Sequence, residues 1–393
     1  MNDKPVVAHI NKQYFAGSET FMYFYLSSFK RFHPVCLSWR RFIHTDQFPF
    51  PPSDCYTVGL NFASIRRLRL AFWKGFTGRL LPVEHVLRRF QVCLIHSHYG
   101  PVGWWSLPLR KALGIPLVTS FYGYDLSPEL EEEGPAWPAR RQQLFEQGDL
   151  FLVEGPVMRQ RLIELGCAPD KVKIQRIALK LQDMPFRLRQ PQRDGTVTLV
   201  FAGRFLEKKG LIYALQAVHR VLQEGRKVEF RIIGDGPLRS QIHSFVVENH
   251  LQSCVHLLGF LKHADYLREM READIFLHPS VEASDGDTEG GAPTTILEAQ
   301  ALGMPVLSTF HADIPNVVMQ GKSARLVPER DSEALSEALL DLVDHPKTWA
   351  EMGQAGRQHV EAYHDVNREI AALEGKYRDI LQGRGEGEVE CLR

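Results

Sequence analysis

Val197-Thr-Leu-Val-Phe-Ala-Gly-Arg-Phe-Leu-Glu-Lys-Lys-Gly210 decides the architecture of this chain. Its first six residues carry no charge and are rich in β-branched and aromatic side chains, which predicts a buried strand. A glycine ends the run, a cationic loop follows, and a helical pattern occupies 210–224. The same unit then repeats, with strands predicted at 228–233, 255–258, 275–278 and 306–309. Helices are predicted between and after them at 237–249, 263–272, 294–302 and 332–342. Strand–helix alternation of this kind predicts a parallel sheet with helices on both faces.

The same reading extends outward to both ends. Short apolar runs at 6–11, 92–97, 117–121 and 150–153 predict further buried strands, separated by stretches long enough for helices. Gly17 predicts a turn after the first run, and Ser18 suits the N-cap of a helix over 18–29, with Glu19 in its first turn. The stretch 182–195 holds Pro185, Pro191 and Gly195 among polar residues and reads as a linker. The expected organisation is therefore α/β, with two doubly wound, Rossmann-like domains at 1–188 and 196–362. The last helical pattern, 366–382, is expected to pack back on the first domain. Ligands of doubly wound sheets bind outside the carboxyl ends of the strands, so a cleft between two such domains is the expected site.

Composition narrows the function classes. The 393 residues balance 47 Lys/Arg against 47 Asp/Glu, which gives no general attraction for nucleic acid. The balance is uneven along the chain. Residues 1–190 hold 25 basic and 16 acidic side chains, which leaves the remainder with 22 and 31. The six cysteines are scattered with no C-x-x-C pair, the pattern of a reduced, cytoplasmic protein and not of a disulfide framework or zinc site. The sixteen histidines show no H-x-x-x-H spacing, so no metal is expected. The N-terminus has no signal-peptide apolar core, and no apolar run reaches the roughly 18–20 residues that span a bilayer.

Chemistry concentrates in three loops that follow strands of the second half. In the first, Gly203 precedes Arg204 and Lys209, two cations that would grip a diphosphate and neutralise its charge as a leaving group. A solvated Lys/Arg cluster is the plainer alternative. In the second, Gly234-Asp-Gly236-Pro lets a ligand approach the backbone closely. The third runs from Ser284 to Pro305. Glu289 precedes Gly290, Gly291, Ala292 and Pro293, and Thr294 and Thr295 open a helix carrying Glu298. The free N–H groups at such a helix start favour phosphate. Glu298 would accept the two hydroxyls of a ribose, and Glu289 those of a sugar. Asp285-Gly-Asp287 has the D-x-D form of a metal site, but it stands before a phosphate-binding helix beside cations that already supply positive charge.

Five motifs in order carry a resemblance: Gly203-Arg204 with Lys208-Lys209-Gly210, Gly234-Asp-Gly-Pro237, Ala273-Asp-Ile-Phe-Leu-His-Pro-Ser280, Glu289 with Glu298, and Gly303-Met-Pro-Val306. Together they resemble retaining glycosyltransferase family 4, of GT-B fold, and most of all its exopolysaccharide (colanic-acid-type) branch. In the first half, Ala16-Gly17-Ser18-Glu19-Thr20 resembles the family's glycine loop, which implies Gly17 beside the donor diphosphate and Ser18 and Glu19 on the acceptor or sugar side. Ile95-His-Ser-His98-Tyr-Gly100 and Phe121-Tyr122-Gly-Tyr-Asp125 resemble two further cleft motifs, with His98, Tyr122 and Asp125 on that same side. The resemblance implies transfer of a hexose from a nucleoside-diphosphate sugar, with retention and without a bound cofactor, to an acceptor sugar or lipid-linked sugar. Two departures stand out. One residue more than usual separates Glu289 from Glu298, and Tyr122 replaces the histidine that many relatives place against the transferred sugar.

The stretch 61–89 interleaves seven cations and one acid with Phe62, Phe72, Trp73 and Phe76. A basic helix with aromatic side chains is the pattern of an element lying on an anionic membrane. It equally fits a helix packed on the first sheet with a solvated basic face. The expected location is cytoplasmic, with peripheral attachment to the inner face of the membrane as the further option. Two rivals keep the same fold class: a sugar-nucleotide epimerase and a non-catalytic nucleotide-sugar-binding subunit. A dinucleotide oxidoreductase fits least, since no G-x-G-x-x-G follows the first strand.

Overall fold

The computed structural model describes residues 4–14, 20–43, 45–58, 80–126, 134–192 and 194–383, and every structural statement below concerns these. Gly17, Ser18, Glu19 and most of the basic aromatic stretch lie outside the described residues. The chain divides into two compact units, one of 1–178 with 366–393 and one of 179–365.

The first unit is built on a seven-stranded sheet of order β3-β2-β1-β4-β5-β6-β7, all neighbours parallel. Its strands are β1 (Val6–Tyr14), β2 (His33–Phe42), β3 (Cys55–Thr57), β4 (Val92–His98), β5 (Leu117–Ser120), β6 (Leu150–Val153) and β7 (Val172–Ile174). Burial on both faces explains the apolar run of β6 and the apolar first halves of β4 and β5, whose carboxyl ends are buried polar residues. One face is covered by helices including Gly100–Leu113 and Trp137–Gln147, with Trp137 and Phe121 at its centre. Against the other lies the helix Val366–Gln382, whose Ile370, Leu373, Tyr377 and Leu381 pack with Val7, Leu94 and Val118. Gln175 and the backbone of Lys30 to Phe32 reach Glu369 and Glu374 of that helix by hydrogen bonds.

The second unit holds a six-stranded parallel sheet of order β10-β9-β8-β11-β12-β13. The strands are β8 (Val197–Ala202), β9 (Val228–Ile233), β10 (Val255–Gly259), β11 (Ile275–His278), β12 (Val306–Thr309) and β13 (Ala324–Val327). Helix Leu211–Gln223 sets Leu211, Leu215, Val218 and Val221 at helical spacing against the sheet, beside helix Ser332–Asp344. In each sheet the strand order reverses beside the first strand, between β1 and β4 and between β8 and β11. A doubly wound sheet opens a binding crevice at that point, on the carboxyl side.

Candidate functional site

At the reversal between β8 and β11, three loops are locked together by contacts that leave room for glycine alone. A Cβ at Gly210, in left-handed conformation (φ 64°), would lie 1.7 Å from the Pro279 carbonyl oxygen. A Cβ at Gly234 (φ 133°) would lie 1.9 Å from the Gly203 carbonyl oxygen, and one at Gly236 within 2.8 Å of the Phe205 backbone. The glycines of the first two loops thus serve close backbone packing as well as any ligand. Phe205 N–H donates to the Asp235 carbonyl and completes the junction of those two loops.

Two of the sequence-predicted site residues are paired with each other. Lys209 Nζ donates to Glu289 Oε2 at 2.6 Å, and Ser280 Oγ donates to Oε1 at 2.7 Å. The Glu289 side chain is 5% exposed, and burial alone would push its carboxyl up. Lys209, with His278 and Lys208, outweighs burial and holds it well below the usual carboxylate range. His278 stands 3.6 Å from Oε1, beyond hydrogen-bond length, with its ring stacked 4.8 Å from Phe201. The Glu289 N–H donates to His311 Nε2, and His311 in turn faces Glu329. Lys208 grips Asp287 at 2.9 Å and the Thr288 carbonyl, so Asp287 of the D-x-D sequence is already engaged. Arg204 differs from all of these. It is exposed at the end of β8, and no described carboxylate pairs with it.

Helix Thr294–Ala301 begins at Pro293 with no side-chain cap, so its first N–H groups keep their donor capacity. The Thr295 hydroxyl beside them is buried without a hydrogen-bond partner. Gly290 (φ 75°) turns the chain into this helix, and Gly291 accepts from Asp313 N–H. One turn in, Glu298 is 3% exposed and accepts a hydrogen bond from the Tyr266 hydroxyl. Burial raises its carboxyl to about 7 against the pull of Tyr266.

In the first unit the three sequence-singled residues meet at the carboxyl ends of β4 and β5. Tyr122 Oη lies 2.7 Å from His98 Nδ1. Both Asp125 oxygens accept backbone N–H groups, from Gly100 at 2.8 Å and Tyr122 at 3.0 Å. Burial, partly offset by those N–H groups, lifts Asp125 to about 6. Asp125 therefore ties two loops together and positions Tyr122. A pocket here is lined by Phe21, Tyr25, His98, Tyr122, Glu154 and Arg176 among others.

His278 and Ser280 stand in a sequence motif without an assigned role, and the sequence does not mark Tyr266 or His311 at all. For His278 a signal existed: it is the one polar residue of β11 and it is fully buried. Tyr266 and His311 come from elements remote in sequence, and nothing local marks them. Residues 81–89 of the basic stretch form a helix whose Val83 and Leu87 sit in the first core. Among the described residues no helix is long and apolar enough to cross a membrane.

The family model "Glycosyl transferases group 1" matches residues 196–345, and "Glycosyl transferase 4-like domain" matches residues 23–176. The amylovoran biosynthesis glycosyltransferase AmsK of Erwinia amylovora is 35% identical over 289 residues, covering 72% of this chain and 68% of its own. WcaL of Salmonella typhimurium, a glycosyltransferase assigned to colanic acid biosynthesis, is 32% identical, covering 70% of this chain and 69% of its own. Among solved structures, Anabaena HepE in complex with UDP and glucose superposes with a TM-score of 0.74 at 15% identity, over 95% of this chain and all of HepE. At that identity the likeness speaks for the fold.

Proposed function

Because the chain belongs to the group 1 glycosyltransferases and has their GT-B architecture, we propose that it transfers a hexose from a nucleoside-diphosphate sugar to an acceptor hydroxyl, with retention, in the making of a cell-surface polysaccharide. The observation that carries this reading is the pairing of an exposed, uncommitted Arg204 with an uncapped helix start in one cluster of loops. Both features favour an anion, and both lie where a doubly wound sheet binds its ligand. The polysaccharide class rests on AmsK and WcaL, and the nucleotide donor gains support from the UDP held by HepE.

In this reading Arg204, with the N–H groups of Thr294 and Thr295, stabilises charge growing on the departing diphosphate. Lys209 acts from beneath, fixing Glu289 in its ionised form so that it accepts sugar hydroxyls without shifting. Glu298 accepts the ribose hydroxyls, beside Tyr266. The exposed Phe260 at the end of β10 offers a face for the base. Tyr122 and His98 of the first unit serve the acceptor or the transferred sugar.

The test is Arg204→Ala. Removing an exposed cation leaves the fold and its melting temperature unchanged, while the loss of leaving-group stabilisation lowers transfer about 100-fold or more. Near-normal turnover in that variant would remove Arg204 from the mechanism.

A further inference from the structure

The first sheet carries a histidine cluster to which the proposed transfer gives no common task. His9 lies on β1, while His96 and His98 lie two apart on β4 and so on one face of it. The two strands pair with His9 directly opposite His96. Ring centroids stand 5.0 Å apart for His9 and His96, 5.3 Å for His9 and His98, and 4.6 Å for His96 and His98. One ring nitrogen of each lies within 4.8 Å of the other two, and His9 Nδ1 is 3.1 Å from His98 Nε2.

All three rings are at least nine-tenths buried. Burial, with repulsion between the rings if they charged, drives His9 and His96 well below the usual imidazole range, and burial drives His98 to about 3. A neutral imidazole is the form that donates a lone pair to a metal. Hydrogen bonds account for part of the arrangement. His96 Nδ1 meets the Tyr377 hydroxyl, His96 Nε2 meets Ser120 Oγ at 2.8 Å, and His98 Nδ1 meets Tyr122. They leave His9 Nε2 buried with no partner.

We propose that His9, His96 and His98 form a binding site for a transition-metal dication of the zinc class. Three neutral nitrogens with no carboxylate or thiolate select zinc, cobalt, nickel or copper over magnesium or calcium. Tetrahedral zinc with nitrogen bonds of about 2.0–2.1 Å sets its ligand atoms about 3.3 Å apart. The His9–His98 pair is already near that spacing, and the His96 ring closes on it by exchanging its Ser120 bond for the ion. The hydroxyls of Tyr122 and Tyr377 then orient the ligands through their other nitrogens, as outer-shell partners do. Three uncharged ligands leave the fourth position and the ion's charge to a small anion or hydroxide. H-x-H is a strand spacing, which a search for the helical H-x-x-x-H passes over. No step of glycosyl transfer is assigned to the ion.

The test uses the full chain, stripped with a chelator and titrated with cobalt(II) and then zinc. We expect about one tightly held equivalent per chain, a visible cobalt spectrum of low-symmetry nitrogen coordination that zinc abolishes, and a raised melting temperature. His9→Ala and His98→Asn should each lower the affinity tenfold or more. Should His9→Ala fail to fold by circular dichroism, His9→Gln, which keeps a polar side chain, takes its place. Less than about a tenth of an equivalent bound by the wild-type chain, or binding that these substitutions leave unchanged, overturns the proposal.

Discussion

At the scale of single residues, the two glutamates of the loop and helix 284–305 are buried carboxyls shifted in opposite directions. Glu289 is kept ionised by Lys209, whereas Glu298 is raised to about 7 by burial. Removing one partner of a buried pair leaves an uncompensated charge, so Lys209→Met should destabilise the protein by about 3 kcal/mol. Adding Glu289→Gln should restore much of that loss, and a double-mutant cycle from chemical denaturation measures the difference. For Glu298 the sign follows from its raised native value. The native state binds the proton more tightly than the unfolded chain, whose carboxyl titrates near 4.5. Its contribution is full below pH 4.5 and is lost as pH rises through 7, an effect on the order of 3 kcal/mol. Glu298→Gln should flatten the decline of melting temperature between pH 4.5 and 7 relative to wild type. An unchanged profile would mean that the carboxyl titrates normally.

At the scale of elements, strands buried on both faces were the legible ones. The runs at 150–153, 197–202, 228–233, 275–278 and 306–309 are strands with those same ends: four are uncharged, and the fifth alternates Glu229 and Arg231 with buried Val228, Phe230 and Ile232. β2 escaped notice because it opens on His33-Pro34 and ends on Arg40-Arg41-Phe42, where two exposed charges erase the pattern. β3 and β7 are three residues each, too short for any periodicity. In the site, the loops were legible from glycine and cation placement, but the use of their side chains was not. Sequence order cannot reveal that Lys209 turns onto Glu289, eighty positions away. The loop junction itself yields a paired prediction. Gly210→Ala drives a Cβ into the Pro279 carbonyl and should cost about 4 kcal/mol or more, with loss of transfer. Gly225→Ala has a similar left-handed backbone but open space around it, and should cost about 1–2 kcal/mol with activity kept. Thermal unfolding of the two variants side by side decides whether backbone contact or conformation dominates.

At the scale of the whole molecule, the chain returns to its first unit at the end. Helix Val366–Gln382 covers one face of the first sheet, so the contacts of that unit span nearly the full sequence. A chain ending at Asp365 would expose Val7, Leu94 and Val118 of that face, and should aggregate or lose its cooperative unfolding transition. Size-exclusion chromatography and calorimetry of the truncated protein check this, and a monomer with native stability would show the helix to be dispensable. The membership in the group 1 glycosyltransferases, the exposed Arg204 and the uncapped start of helix Thr294–Ala301 underlie the proposal of acceptor-dependent transfer from a nucleoside-diphosphate sugar. The most direct measurement follows nucleoside diphosphate released from UDP-, GDP- and ADP-sugars, with and without polysaccharide-repeat acceptors. The account predicts release that requires both one donor and an acceptor, with the sugar recovered on the acceptor in the donor's anomeric configuration. Release without any acceptor, or tight binding of a donor with no turnover on any acceptor, would contradict it.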